Sequence, residues 1–177
     1  MKYYSVDRRG VYADGGKIEL TPNLAANGNE IVMHINNMYP AGFSRHGMQF
    51  FRDPPPQPQS PQDYNGVVLE LLLEATRKAH YPDKPSRYQS MFASVTLEEA
   101  LGFKSVHGKP TDPVYEVAPQ GTVHRGDMAI YTFAPSAAGI DHRLHLYWRG
   151  ETLQIPGHIP KWEYVLELPV AVGNRVG

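Results

Sequence analysis

The sequence predicts an α+β fold, one domain over residues 1–177 with short strands and helices around a single core. Three observations predict it. Stretches with period-two alternation and stretches with a 3.6-residue period both occur. They do not alternate regularly, as βαβ units of a doubly wound sheet would. Hydrophobic residues make up 41% of the chain, enough for one core of ordinary size.

Taken in order, Tyr3-Tyr4-Ser5-Val6 reads as a short strand by its aromatic and β-branched content. Asp14-Gly15-Gly16 is a turn signal, and Lys17 to Leu20 alternates like a second strand or an extended arm. Asn29 is placed to cap a helix running to about Asn37, with Ile31, Ile35 and Met38 on one side. The stretch from Asp53 to Pro61 carries five prolines and reads as a surface loop in polyproline form. Ser60-Pro61 then starts a helix that runs to about His80, with Val67, Val68, Leu71, Leu72, Ala75 and Ala79 at helical spacing. Arg77, Lys78 and His80 suit the negative end of its dipole, and Pro82 stops it.

Tyr88 to Val95 alternates as a strand, with Met91, Ala93 and Val95 on one face and Tyr88, Ser90, Phe92 and Ser94 on the other. Thr96-Leu97-Glu98-Glu99 is a capping box that opens a short helix ended by Gly102. Val114–Val117 and Met128–Phe133 are further strands. Residues 136–148 fit both periods, and a helix is taken. Trp162 to Val172 is the last strand, with Glu163, Val165 and Glu167 sharing a face.

Charge and cysteine content narrow the function. Lys and Arg number 17 against 18 Asp and Glu, without the basic excess of a protein that binds duplex DNA by counterion release. There is no Cys, which removes disulfides, thiolate metal sites and thiol catalysis and favours the cytoplasm. MKYYSVDRRG has no apolar stretch of signal-peptide type, and no apolar run approaches the roughly 20 residues of a membrane helix. No membrane partner is expected.

Phosphate-loop, dinucleotide-fingerprint and nucleophile-elbow motifs are all absent. His142 and His145 share a helical face, with His124 elsewhere, but no residue nominates itself as a third ligand, so no metal is assigned. In Gly42-Phe43-Ser44-Arg45-His46-Gly47, small residues on both sides imply a close approach to the backbone; Ser44 and His46 either touch a ligand or sit in a tight surface turn. Polar groups also open two strands, at Ser86-Arg87-Tyr88-Gln89-Ser90 and at Glu163, which is how a cleft is furnished.

In the order of these segments the chain resembles the ADP-ribosyltransferase superfamily, in particular a divergent bacterial and phage branch. The pieces are Tyr4-Ser5-Val6-Asp7-Arg8, Gly42 to Gly47, Pro85 to Ala93 before Glu98-Glu99-Ala100, Tyr147 to Gly150, and Glu163 leading the final strand. The resemblance implies a split antiparallel β-sheet with flanking helices that clasps NAD, as substrate, in its central cleft. It implies a transferase that moves ADP-ribose onto a protein or nucleic-acid target in the cytoplasm, or in the host cytoplasm for a phage or toxin effector. Carried over residue by residue, Glu163 and Ser90 are catalytic. By the same carry-over Arg8, with Ser86 and Arg87 near Ser90, is expected to hold the cofactor; an aromatic such as Tyr4, Tyr88 or Phe92 is expected to stack on the nicotinamide, and Ser44 and His46 of the glycine loop are further candidate cofactor contacts. Two departures stand out: Lys161 occupies the place where arginine-modifying members have Glu or Gln, and Ser90-Met91-Phe92 replaces a Ser-Thr-Ser triplet.

The chemistry suits those residue types. Cleaving the bond from nicotinamide to ribose builds positive charge on the sugar, which a carboxylate stabilises, and an Arg fork matches pyrophosphate. Such a site needs Arg8, Ser90 and Glu163 to face one cleft; an acid buried in a salt bridge or turned to open water does not serve it. Two alternatives are a nucleotide- or partner-binding module on the same fold without turnover, and a metal-dependent enzyme using His142 and His145.

Overall fold

The computed structural model describes residues 1–53 and 61–177. The predicted polyproline loop and the Ser60 cap fall on residues 54–60, outside the described residues. Among the described residues, seven strands form two antiparallel sheets, and five α-helices accompany them.

The first sheet has the order β1-β4-β7-β2, built from β1 (Tyr3–Val6), β4 (Val114–Pro119), β7 (Val170–Arg175) and the two-residue β2 (Lys17–Ile18). The second has the order β3-β6-β5, built from β3 (Ser90–Ala93), β6 (Trp162–Glu167) and β5 (Val123–Asp127). The two meet at one antiparallel bridge, where Tyr4 N–H donates to Ser94 O and Ser94 N–H to Tyr4 O, both at 2.8 Å. Side chains close the seam from one side. Tyr3, Val117 and Val170 of the first sheet pack with Met91, Ala93 and Leu166 of the second in a single apolar cluster.

The opposite face of the second sheet is covered by α3 (Pro61–His80) and α5 (Ala137–Arg149), through Leu73, Leu144, Tyr147, Trp148 and Val165. A third cluster joins Ile35 of α1 (Glu30–Met38) to Tyr39, Phe43 and Tyr88. The short α2 (Arg45–Gly47) continues into a π-helical turn at Met48–Arg52, and α4 (Leu97–His107) packs against β1. No helix among the described residues is long and apolar enough to cross a membrane.

Local chemistry set several of these elements as expected. Asn29 caps α1 by accepting from the N–H of Ile31 and Val32. Thr96 and Glu99 form the capping box of α4. Gly150, not marked as a stop in the sequence, ends α5 in the left-handed conformation at φ 72°.

Other expectations are corrected. Helix α4 runs through Gly102 to His107, because the capping box outweighs one exposed glycine. The strand expected at Met128–Phe133 lies earlier, as β5; Asp127 Oδ1 accepts from Ala129 N–H and turns the chain into a 3₁₀ turn at Met128–Ile130. The last strand is two, β6 and β7, because Pro169 has no N–H for the ladder. On α1 only Ile35 is buried, while Ile31 and Met38 face water. On α3 the buried side is Leu69, Glu70, Leu73 and Glu74, with Val68 and Leu71 exposed. The buried side lies two positions along from the predicted stripe, on nearly the opposite face of the helix.

Candidate functional site

Strand β6 lies between β3 and β5, with Ala93 opposite Tyr164 and Gly126 opposite Glu163. One further step of the β3 register sets Ser94 level with Glu163, and Ser94 is bridged to Tyr4. Tyr4, Ser94, Glu163 and Gly126 thus form one row across β1, β3, β6 and β5. Directly opposed residues of antiparallel strands share a face, so the row crosses the seam on the side covered by α3 and α5.

Beside this row stands a buried ionic cluster centred on Arg87, the first residue of a 3₁₀ turn capped by Ser86. Arg87 grips Glu70 as a two-pronged fork: Nε donates to Oε2 at 2.9 Å and Nη2 to Oε1 at 2.8 Å. Its remaining nitrogen, Nη1, reaches both Glu163 Oε1 and the Tyr147 hydroxyl. Tyr147 Oη also donates to Glu163 Oε1, at 2.7 Å. Phe92 lies 4.5 Å beneath the guanidinium, an aromatic face that suits its delocalised charge. Arg87 is 4% exposed, Glu70 1% and Glu163 6%.

His46 is the cluster's most accessible member. Its ring packs against Phe50 and Phe92 at 4.6 and 4.8 Å. Nε2 lies 2.9 Å from Glu70 Oε1 but forms no aligned hydrogen bond, so the contact works by charge when the ring is protonated. Burial alone would raise the Glu70 carboxyl; the charge of Arg87, then that of His46, outweighs it and holds the group well below the carboxylate range. Tyr147 is shifted the other way, its phenol pushed up mainly by burial.

Glu163 is bound asymmetrically. Both of its hydrogen bonds fall on Oε1, and among the described residues none falls on Oε2. Behind Tyr131 and Tyr147 the structure leaves a cavity of only about 10 Å³, room for at most one water. Glu163 is not among the residues that line it.

Of the ten residues nominated from sequence, Glu163, Arg87, Phe92 and His46 come together, and Tyr4 stands in the row beside them. Five do not join. Arg8 is exposed, donates to His107 O at 3.4 Å and lies over Phe103 on α4. Ser90 is buried, donates to Ser86 O at 2.7 Å and lies opposite Glu167, about 13 Å along β6 from Glu163 by strand rise. Ser44 caps α2 and donates to Tyr88 O. Ser86 caps the 3₁₀ turn and donates to Glu74. Tyr88 is buried in the third cluster. The expected meeting of Arg8, Ser90 and Glu163 does not occur, and Glu163 is buried with half its carboxylate in a salt bridge.

The glycine loop has its own correction. A Cβ on Gly47 would lie 2.1 Å from Tyr88 O, and one on Gly42 2.2 Å from Thr21 O. The close approach is by the protein's own backbone. The nominated histidines do not gather either: His145 Nδ1 pairs with the Tyr81 hydroxyl at 2.8 Å, while His124 is buried on β5. Among the described residues no three His, Cys, Asp or Glu are placed to hold a metal ion.

Glu70 and Tyr147 were missed. The signal for Glu70 was a carboxylate inside the apolar run from Val67 to Leu73, which reads equally as the polar side of a helix. Tyr147 stood within the resembling segment, but nothing marked its hydroxyl.

Compared with the curated proteins, the chain has no match. A family model does match, over residues 26–176, a span that holds Glu70, Arg87, Tyr147 and Glu163 and leaves out β1. The chain belongs to the family described as protein of unknown function (DUF2441).

Proposed function

We propose that the protein is an NAD-dependent ADP-ribosyltransferase acting on a macromolecular target, with Glu163 as its catalytic carboxylate. The observation that carries the proposal is the row of Tyr4, Ser94 and Glu163 across the seam of two antiparallel sheets; the salt bridge that counts against Glu163 takes Oε1 alone, and among the described residues Oε2 accepts no hydrogen bond. That architecture suits the split-sheet fold which the sequence resemblance implies.

In the reaction, the bond from ribose C1′ to the nicotinamide nitrogen breaks and nicotinamide leaves with the bonding pair. An oxygen or nitrogen of the target bonds to C1′ and loses its proton. The sugar passes through an oxocarbenium-like state, and fixed negative charge aimed at it lowers the barrier. Glu163 supplies that charge and accepts from a ribose hydroxyl at Oε2. Tyr4, His46 and Phe92 offer rings to the nicotinamide end. Arg9 and Arg45, both exposed, suit the phosphates; Arg9 Nη2 is steadied by Gln49 Oε1 at 3.3 Å.

The test is nicotinamide release from NAD and transfer of labelled ADP-ribose in bacterial lysates. Glu163→Gln is expected to lower turnover by about a hundredfold or more, the scale of losing a transition-state electrostatic partner. Absence of both release and transfer across several lysates overturns the proposal.

A nucleotide-binding module without turnover is the second reading, favoured by one observation: Arg87 and Tyr147 already occupy Glu163 Oε1. It expects NAD or ADP-ribose to bind in calorimetry with no nicotinamide released.

A further inference from the structure

Glu70 is shut away from solvent, Tyr147 as well, and neither is placed to touch a ligand. Their arrangement nevertheless has one common effect. With both prongs of its fork on Glu70, Arg87 has a single nitrogen, Nη1, left for Glu163, and that nitrogen and the Tyr147 hydroxyl meet at the same carboxylate oxygen.

The charge count is also telling. One guanidinium balances one carboxylate, yet the cluster holds two, Glu70 and Glu163. A salt bridge serving only the fold would need one. A second buried carboxylate is costly unless something positive faces it. Arg87 faces both carboxylates, and His46 Nε2 lies 2.9 Å from Glu70 Oε1.

We infer that Glu70 and Tyr147 are positioning residues: Glu70 fixes Arg87, Arg87 and Tyr147 fix Glu163 Oε1, and Oε2 is thereby the oxygen presented to the sugar. The inference rests on the transferase function proposed above and adds to it the residues that aim the carboxylate.

Tyr147→Phe removes one oxygen and little volume, so it decides the matter even if Glu70→Gln fails to fold. Wild type, Tyr147→Phe, Glu70→Gln and Glu70→Asp are compared by kcat and KM for nicotinamide release, NAD affinity in calorimetry, and urea midpoint. Tyr147→Phe is expected to lower kcat about tenfold, the worth of one charge-assisted hydrogen bond, with NAD affinity within about twofold. Glu70→Gln loses more, and Glu70→Asp, which keeps the charge, recovers part of the difference. A Tyr147→Phe protein with wild-type kcat overturns the inference and leaves the transferase standing. A wild-type protein that releases no nicotinamide removes both.

Discussion

His124 sits on β5 with its ring stacked 5.0 Å from that of Trp148 and Nε2 2.9 Å from the Tyr147 carbonyl oxygen, to which a neutral ring donates. Burial lowers it to about 4 from its ordinary 6.5. An unfolded chain takes up this proton near pH 6.5 and the folded one only near 4, so the unfolded state binds more protons between those values. The stability due to neutral His124 is whole above pH 6.5 and is lost as pH falls through that window. Unfolding free energies from urea titrations followed from pH 7 to 4 should decline by up to about 1.4 kcal/mol per pH unit from this one group. His124→Gln should flatten the decline; an unchanged profile would place the proton elsewhere. Glu70 marks the limit of legibility at this scale. Its identity was plain in the sequence, but its burial depends on Arg87, 17 positions away, and no helical periodicity reports a partner that distant.

Among the elements, β5 and α5 show what a missing side chain does. A Cβ on Gly126 would lie 2.2 Å from Tyr147 Cε2, so the ring can rest on the strand only because nothing projects there. Gly126→Ala should force the ring away, at about 1–3 kcal/mol of stability by the usual measure of overpacking. Gly102 is the contrast: it lies within α4 with open space around an added Cβ. Gly102→Ala should raise stability by about 0.5–1 kcal/mol. The two variants, compared by urea denaturation, should move in opposite directions.

Helix ends were legible for a related reason. Caps such as Asn29 and Thr96 with Glu99 are local, made within three residues. The inner face of α3 was not legible, because Glu70 and Glu74 turn inward to meet Arg87 and Ser86 from a later segment. Strand β5 was misplaced for a similar cause, since Asp127 ends the ladder by accepting from Ala129 and Lys161.

At the scale of the molecule, the mixture of strands and helices followed from pattern alone, whereas the pairing order of the strands did not. Periodicity tells which side of a strand is apolar and is silent about its neighbour. Sheet order had to come from the fold, and with it the row that joins Tyr4 to Glu163. Leu166 tests how far the two sheets act as one body. It is fully buried between them, in the cluster that includes Tyr3, Val117 and Val170. Leu166→Ala should cost about 2–5 kcal/mol and keep a single cooperative urea transition; two separated transitions would mean that the sheets melt independently.

The bridge at Tyr4 and Ser94 has a mechanical consequence. Two backbone hydrogen bonds make a narrow weld between broad plates, backed by apolar packing and by Ser5 Oγ, which donates to Phe92 O at 3.0 Å across the same seam. Glu163 sits one strand away from that weld, so a change in the angle between the plates would be felt early at its carboxylate.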